Sequence, residues 1–457
     1  MDTPDQVSRP AVQPTVSEIV LLPGETEWPT SLSAPSSSTL IKARTQLGLP
    51  ADSPMIASGH QPIVFHPGIV AKLIAMDHWA KKTGSATVWI VPDQDVLDPA
   101  LIRVPGMDGD VLTVTSIRLG GEPNELSPVA IIPPIAVRQD LPEELESIGT
   151  WLMGYEHESS LARQFASATI GMVCERLGID EPRLMYASEL LGIEAGSVLI
   201  DAMLDEPRRA IESYNRSVAR FSDAGVRPMS ISDDRIELPL WRLEDGGRSP
   251  VFVDPAHIEG VDRSNLIPRG LLMTGVMRSV FSDLFIHGTG GDHYDHITEH
   301  WFLDWLGQPL APAVAVSATM RLGFDLPTTL DPDRAMWNVH HARHDPAMLG
   351  DESAAQKKTD IVNAINASKS KDDHAQSARL YTELHKLLSR VRVEHAQKLA
   401  EFDAAAERAQ HARQTLALAN DRTWAFPLYS DAQLQILKAE IVGALDGTLD
   451  ADINGSS

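Results

Sequence analysis

Cysteine is almost missing from this 457-residue chain: Cys174, in "IGMVCERLG", is the one thiol. A single thiol excludes an intramolecular disulfide framework and a cysteine-rich zinc site. Its apolar neighbours mark it as a small buried residue rather than a nucleophile. Basic residues are scarce as well, with 39 Lys+Arg against 63 Asp+Glu and a formal charge of -24. Such a chain lacks the basic face that neutralises phosphates, which argues against a nucleic-acid partner and leaves room only for a local basic pocket. No run approaches the roughly 20 apolar residues of a membrane span. The opening "MDTPDQVSRPAVQPTVSE" is polar and proline-bearing, with no hydrophobic signal core. A cytoplasmic protein without a membrane partner is the expectation. Glycine and proline, finally, are absent from Asp351 to Phe426. Nothing there interrupts a helix.

What is present suits a globular protein of two or three domains, with 43% apolar residues. Residues 1–16 read as a loose tail, 17–325 as an α/β core and 326–457 as a helical arm with a C-terminal segment. Within the core, "PMIAS" (54–58) and "ATVWIVP" (86–92) read as strands. Between them Ile69, Val70, Leu73, Met76 and Ala80 recur at helical spacing, and Gly84 is placed to end that helix. Strand, loop, helix, strand is a βαβ unit, so a parallel sheet is expected. A helical insert over about 150–222 and a small antiparallel element over about 229–254 follow. "DLFIHGTGGDHYDHITEHWFLDWLG" then returns to strand, glycine-rich turn and helix. In the arm, Leu384, Leu388, Val391, His395, Leu399, Phe402, Ala406 and Ala409 follow steps of four and three with one extra four. That pattern reads as a coiled-coil seam with a stutter, which predicts a homodimer, or else as a long amphipathic helix lying on its own domain.

Three polar turns carry the chemistry-bearing residues. In an open parallel sheet, ligands bind beyond the carboxyl ends of the strands, where these turns are expected. "SGHQP" offers Gly59, His60 and Gln61, and the ordinary pKa of His60 suits a general acid or base. "PDQD" offers Asp93 and Asp95, which alternate along an extended chain and so point the same way. "HGTGGD" offers His287, Gly288, Gly290, Gly291 and Asp292 ahead of a helix, where backbone N–H groups favour an anion. The last turn is neither a Walker loop nor a dinucleotide fingerprint, because the lysine and the spacing are absent. The bland alternative is that His60 and Gln61 cap the following helix while the aspartates end a strand in solvent. His296 and His300, four apart on one helix face, with His293 nearby, raise a metal-dependent hydrolase as a second reading. The HExxH pattern is missing, so no metal is expected. The histidines of "HHARH" (340–344) read as a solvated helix face. A non-catalytic coiled-coil assembly protein is the third reading.

At these same residues the chain resembles the bacillithiol synthases, which add cysteine in bacillithiol assembly. Members carry a TGQQ-type loop followed by a phenylalanine and a helix. "SGHQPIVF" occupies that place, with Gly59, Gln61 and Phe65 matching and His60 standing for the first glutamine. Their SEDHD-type turn is similar to "VPDQD", which keeps Asp93 and Asp95 and has Gln94 in place of histidine. Their later glycine-rich turn is similar to that at Gly288 and Gly291, with Met273 where an arginine is expected. The resemblance implies a Rossmann-like parallel-sheet core with inserted connecting segments and a C-terminal α-helical coiled coil. It implies a divergent, ligase-like enzyme joining cysteine or a similar amino compound to a small sugar–malate type acceptor. A nucleotide, ATP or ADP, is the one cofactor it brings.

Overall fold

The computed structural model describes residues 16–447 apart from 36, 110, 122–126, 259–260 and 325–331, with backbone alone for Asp292, His293 and Pro332. The tail expected over 1–16 lies almost wholly outside the described residues. Two compact units emerge, one comprising Pro105–Val114 and Gly323–Asp421, the other the rest of the described chain. In chain order the strands are β1 (Val16–Leu22), β2 (Met55–Gly59), β3 (Ala86–Val91), β4 (Leu101–Asp108), β5 (Val111–Arg118), β6 (Arg183–Tyr186), β7 (Ile236–Glu244), β8 (Gly247–Val253), β9 (Leu266–Pro268), β10 (Leu284–His287) and β11 (Ala313–Met320).

The larger unit is a mixed α/β structure around a sheet of order β1-β11-β10-β2-β3-β6. Every pairing in it is parallel except that of β1 with β11. Its strands are near-continuous apolar runs because both faces are covered. Met55, Ala57, Val88, Ile90, Met185 and Phe285 face one core with Leu199, Ile211, Trp301 and Phe302 from the helices Glu194–Asp205, Pro207–Arg220 and Thr289–Leu306. The alternate residues, Ile56 and Trp89 among them, turn to the other face. There the helix Pro67–Thr83 lies against β2, β3 and β11. His66 caps that helix by accepting the Gly68 N–H on Nδ1 at 3.1 Å, Pro67 opens it, and Gly84 at φ 65° closes it. The cap is therefore neither His60 nor Gln61.

Two segments depart from expectation. The stretch expected as a helical insert contains β6, which extends the sheet beyond β3. Four residues, "RLMY", are too short a run for periodicity to separate strand from helix. The C-terminal segment, expected with the arm, packs instead in the sheet unit. Phe426 donates its N–H to the Phe65 carbonyl at 2.7 Å, and Arg176 pairs with Asp431 at 2.6 Å. β7 and β8, with β9, form the small antiparallel sheet.

The smaller unit is mainly helical, and its glycine-free stretch breaks twice. Helices run Glu352–Lys369, His374–Glu394 and Ala396–Ala419. Asp372 takes φ 56° at the first break, and Asp373 caps the next helix by accepting the Gln376 N–H at 3.0 Å. Part of the seam packs within the chain: Leu384, Val391, Leu399 and Phe402, joined by Leu387 from outside the seam, share a core with Ala342, Leu349, Ile361 and Ile365. That packing replaces the continuous seam expected through His395, where the helix ends. A coiled coil between chains stays a proposal. No described helix is long and apolar enough to cross a membrane.

Candidate functional site

β10, β2 and β3 are neighbours in the sheet, so the turns leaving their carboxyl ends emerge side by side. Gln61 Nε2, beyond β2, donates to Asp95 Oδ2, beyond β3, at 3.3 Å. Arg248, from β8, reaches the same turn, donating to the Gln94 carbonyl and standing 3.2 Å from Asp95 Oδ1. Both oxygens of Asp95 are therefore engaged, and the carboxylate holds Gln61 in place.

Asp93 points elsewhere. Its N–H donates back to the Val91 carbonyl at 2.9 Å, so Asp93 and Gln94 form a turn and not an extended chain. This overturns the expectation of two parallel carboxylates, because the alternation rule holds only in extended backbone. The Asp93 carboxylate accepts the Ser188 N–H at 3.0 Å and the Ser188 hydroxyl at 2.6 Å, just beyond β6. Burial pushes this acid up to about 6, the Ser188 bonds opposing. Beside it Glu189 pairs with Arg163, whose guanidinium lies 3.9 Å from the centroid of the Tyr186 ring.

His60 also departs from its expected role. Its half-buried ring is pushed down to about 3, by burial first and then by the Lys72 ammonium. At neutral pH it is an uncharged hydrogen-bonding ring and a poor acid. A group titrating nearer neutrality stands next to it. Lys72, 4% exposed, donates to the Gly59 carbonyl, and burial alone pushes its amine down to about 7. Motif reading passed over Lys72, yet a signal exists: it falls on the apolar face shared by Ile69, Leu73 and Met76.

The glycine turn packs against this lysine. A Cβ on Gly288 would stand 4.0 Å from Lys72 Cδ, and Gly288 precedes the first turn of the helix Thr289–Leu306. Gly59 and Gly291 have packing reasons of their own. A Cβ at Gly59 would lie 2.4 Å from the Ile90 carbonyl oxygen, and one at Gly291 would lie 2.5 Å from His287 Nδ1. Gly290 has open space around it. None of the three glycines after β10 has a positive φ. His287 is buried with Nε2 3.1 Å from Asp295 Oδ2, and Arg278 binds Asp295 and Glu299. The 3.1 Å approach lacks hydrogen-bond alignment. The side chains of Asp292 and His293 lie outside the described residues.

The metal alternative loses a ligand here. Arg220 donates to His300 Nε2 at 3.1 Å, which leaves Nδ1 to donate to the Ser217 hydroxyl at 2.9 Å. A metal needs a free ring lone pair, and this one is taken. His296 is exposed and stacks on Phe221. Among the described residues, no three His, Cys, Asp or Glu side chains are grouped to share an ion. In the smaller unit, His340 and His344 are exposed, and His341 stacks on Trp337. Cys174 is buried, and its thiol is pushed up to about 12, mainly by burial.

No family model matches the chain, and no curated protein matches it. Solved structures similar to it include a product-bound parasite tRNA synthetase, 9% identical, covering 86% of this chain and 83% of that one, with a TM-score of 0.25. The Plasmodium falciparum tryptophanyl-tRNA synthetase is also 9% identical, covering 91% of this chain and 94% of its own, with a TM-score of 0.24. Likeness at that level carries no argument about function.

Proposed function

We propose that the chain is a small-molecule enzyme of ligase type whose site is the carboxyl edge of the sheet. It would join an amino compound such as cysteine to a small acidic acceptor, as a divergent relative of the bacillithiol synthases. The observation that supports this reading is the link between separate turns: Gln61 is tied to Asp95, and Lys72 sits between Gly59 and Gly288. Loops that merely end strands in solvent have no reason to bury an amine beside one turn and an acid beside another.

The roles follow from surroundings. Asp93, held near 6, exchanges a proton close to neutral pH and is the acid or base of the reaction. Gln61, fixed by Asp95, offers its remaining amide valences to a carboxylate or amine. His60, uncharged, donates or accepts one hydrogen bond. Backbone N–H groups at the start of the helix Thr289–Leu306 face an anionic group, and a nucleotide phosphate fits that chemistry. Two chains associate through the helical unit, where Val393 is 76% exposed.

Calorimetric titration with cysteine, ATP and sugar–malate conjugates tests the reading. Gln61→Ala should weaken the bound compound by roughly 1–3 kcal/mol, the value of a buried hydrogen-bonding partner, while leaving the circular dichroism unchanged. Equal affinity in a folded Gln61→Ala protein would remove this edge as the site.

A further inference from the structure

Arg248 is fixed at one corner and against one ring, and the rest of its guanidinium is unused. It extends from β8, and its guanidinium lies 4.5 Å from the centroid of Trp241 on the neighbouring β7. Arg269 packs on the same ring at 4.0 Å, and the buried Glu237 holds that arginine at 2.8 Å. Arg248 Nη1 donates to the Gln94 carbonyl and lies 3.2 Å from Asp95 Oδ1. Asp95 Oδ2 in turn accepts from Gln61 at 3.3 Å, so one carboxylate holds the amide and the guanidinium together. The remaining donors of Arg248, at Nε and Nη2, have no partner among the described residues. Neither atom is buried, and the side chain is 23% exposed. Arg269 Nη2 also lacks a partner, but it is sealed from solvent.

We propose that the open edge of Arg248 binds a carboxylate of the substrate, so that the small antiparallel sheet selects an acidic compound. Nε–H and an Nη2 N–H form a planar fork that matches the two oxygens of a carboxylate. The stack on Trp241 and the anchor at Gln94 set the side chain before a ligand arrives, so less rotamer freedom is lost on binding. A neutral amide of the same shape offers one oxygen and turns an N–H against the other donor. The formal charge of -24 repels an anionic substrate in general, which puts the selection on a local cation. The inference rests on the ligase reading for its site and adds the group that recognises the acidic end of the substrate.

The test is nuclear magnetic resonance of the full-length protein carrying isotopically labelled arginine, titrated with succinate and, separately, with succinamide. The Arg248 Nε–H signal is identified by its loss in Arg248→Lys or Arg248→Gln. It should move with succinate and stay still with succinamide, while the signal of the exposed Arg208 stays still with both. By calorimetry, Arg248→Lys should weaken succinate on the order of tenfold, because the charge is kept and the fork is lost. Trp241→Leu keeps the guanidinium, loses the stack and should weaken succinate as well. An Arg248 signal that is stationary, or that moves equally with both compounds or equally with Arg208, overturns the proposal. Succinate held at Arg248 without any binding of cysteine, ATP or sugar–malate conjugates would support this assignment and remove the ligase reading. Gln61-dependent binding of those compounds, unweakened in Arg248→Lys, would do the reverse.

Discussion

At Asp93 the carboxylate loses its water, and the donors it gains, chiefly from Ser188, only partly offset that loss, so its pKa rises from 3.8 to about 6. An acid raised on folding binds its proton more tightly in the native state than in the unfolded chain. The stability this provides is complete below about pH 4 and is lost as pH rises towards 6. Asp93→Asn removes the titration while keeping an acceptor for the Ser188 N–H. Urea midpoints should show the variant more stable at pH 7 by roughly 2–3 kcal/mol, and flatter between pH 4 and 6. An unchanged slope would mean that the acid is well solvated. Lys72 is the mirror case, a base lowered from 10.5 to about 7. Its folded state is favoured above the unfolded pKa and loses stability as pH falls towards 7. Lys72→Met should therefore raise the melting temperature at pH 7, a gain in stability at the expense of function. A fall in melting temperature would make the lysine a structural tie to Gly59.

Among the elements, the helix Pro67–Thr83 governs the site, since it carries Lys72 and begins where the "SGHQP" turn ends. His66→Ala removes its cap and should cost roughly 0.5–2 kcal/mol by chemical denaturation. A change below that range would shift the capping role to Pro67. This helix and its flanking strands were legible in the sequence, because apolar spacing, Gly84 and short β-branched runs all agree there. β6 was not legible, and with it went Ser188 and Glu189, whose contribution depends on a strand four residues long. Asp93 and Asp95 were found by motif, but their directions were not, because a two-residue turn is invisible to a period-two rule. Lys72 was hidden by its own helix: a lysine on an apolar stripe looks like an interruption until the packing partner is known. In the arm, the aspartates of "KDDH" carry the helix break that the absence of glycine and proline concealed.

For the whole molecule, the helical unit uses much of the four-three seam in its own core, so the expected dimer depends on what remains outside. Val393 is the most exposed large apolar side chain of that kind. Light scattering should report two chains, and Val393→Glu should shift the protein to one chain while leaving its helical content unchanged. A parent protein that is already a single chain at micromolar concentration would remove the dimer from the proposal. The ligase reading does not depend on it, because Gln61, Lys72, Asp93 and Gly288 all belong to the sheet unit. The measurement that tests that reading most directly is a crystal structure of the protein soaked with cysteine and ATP. The account predicts ligand density at the carboxyl ends of β2, β3 and β10, within hydrogen-bond distance of Gln61 and of the backbone at the start of the helix Thr289–Leu306. Density at another place in the fold, with these turns unchanged, would contradict it.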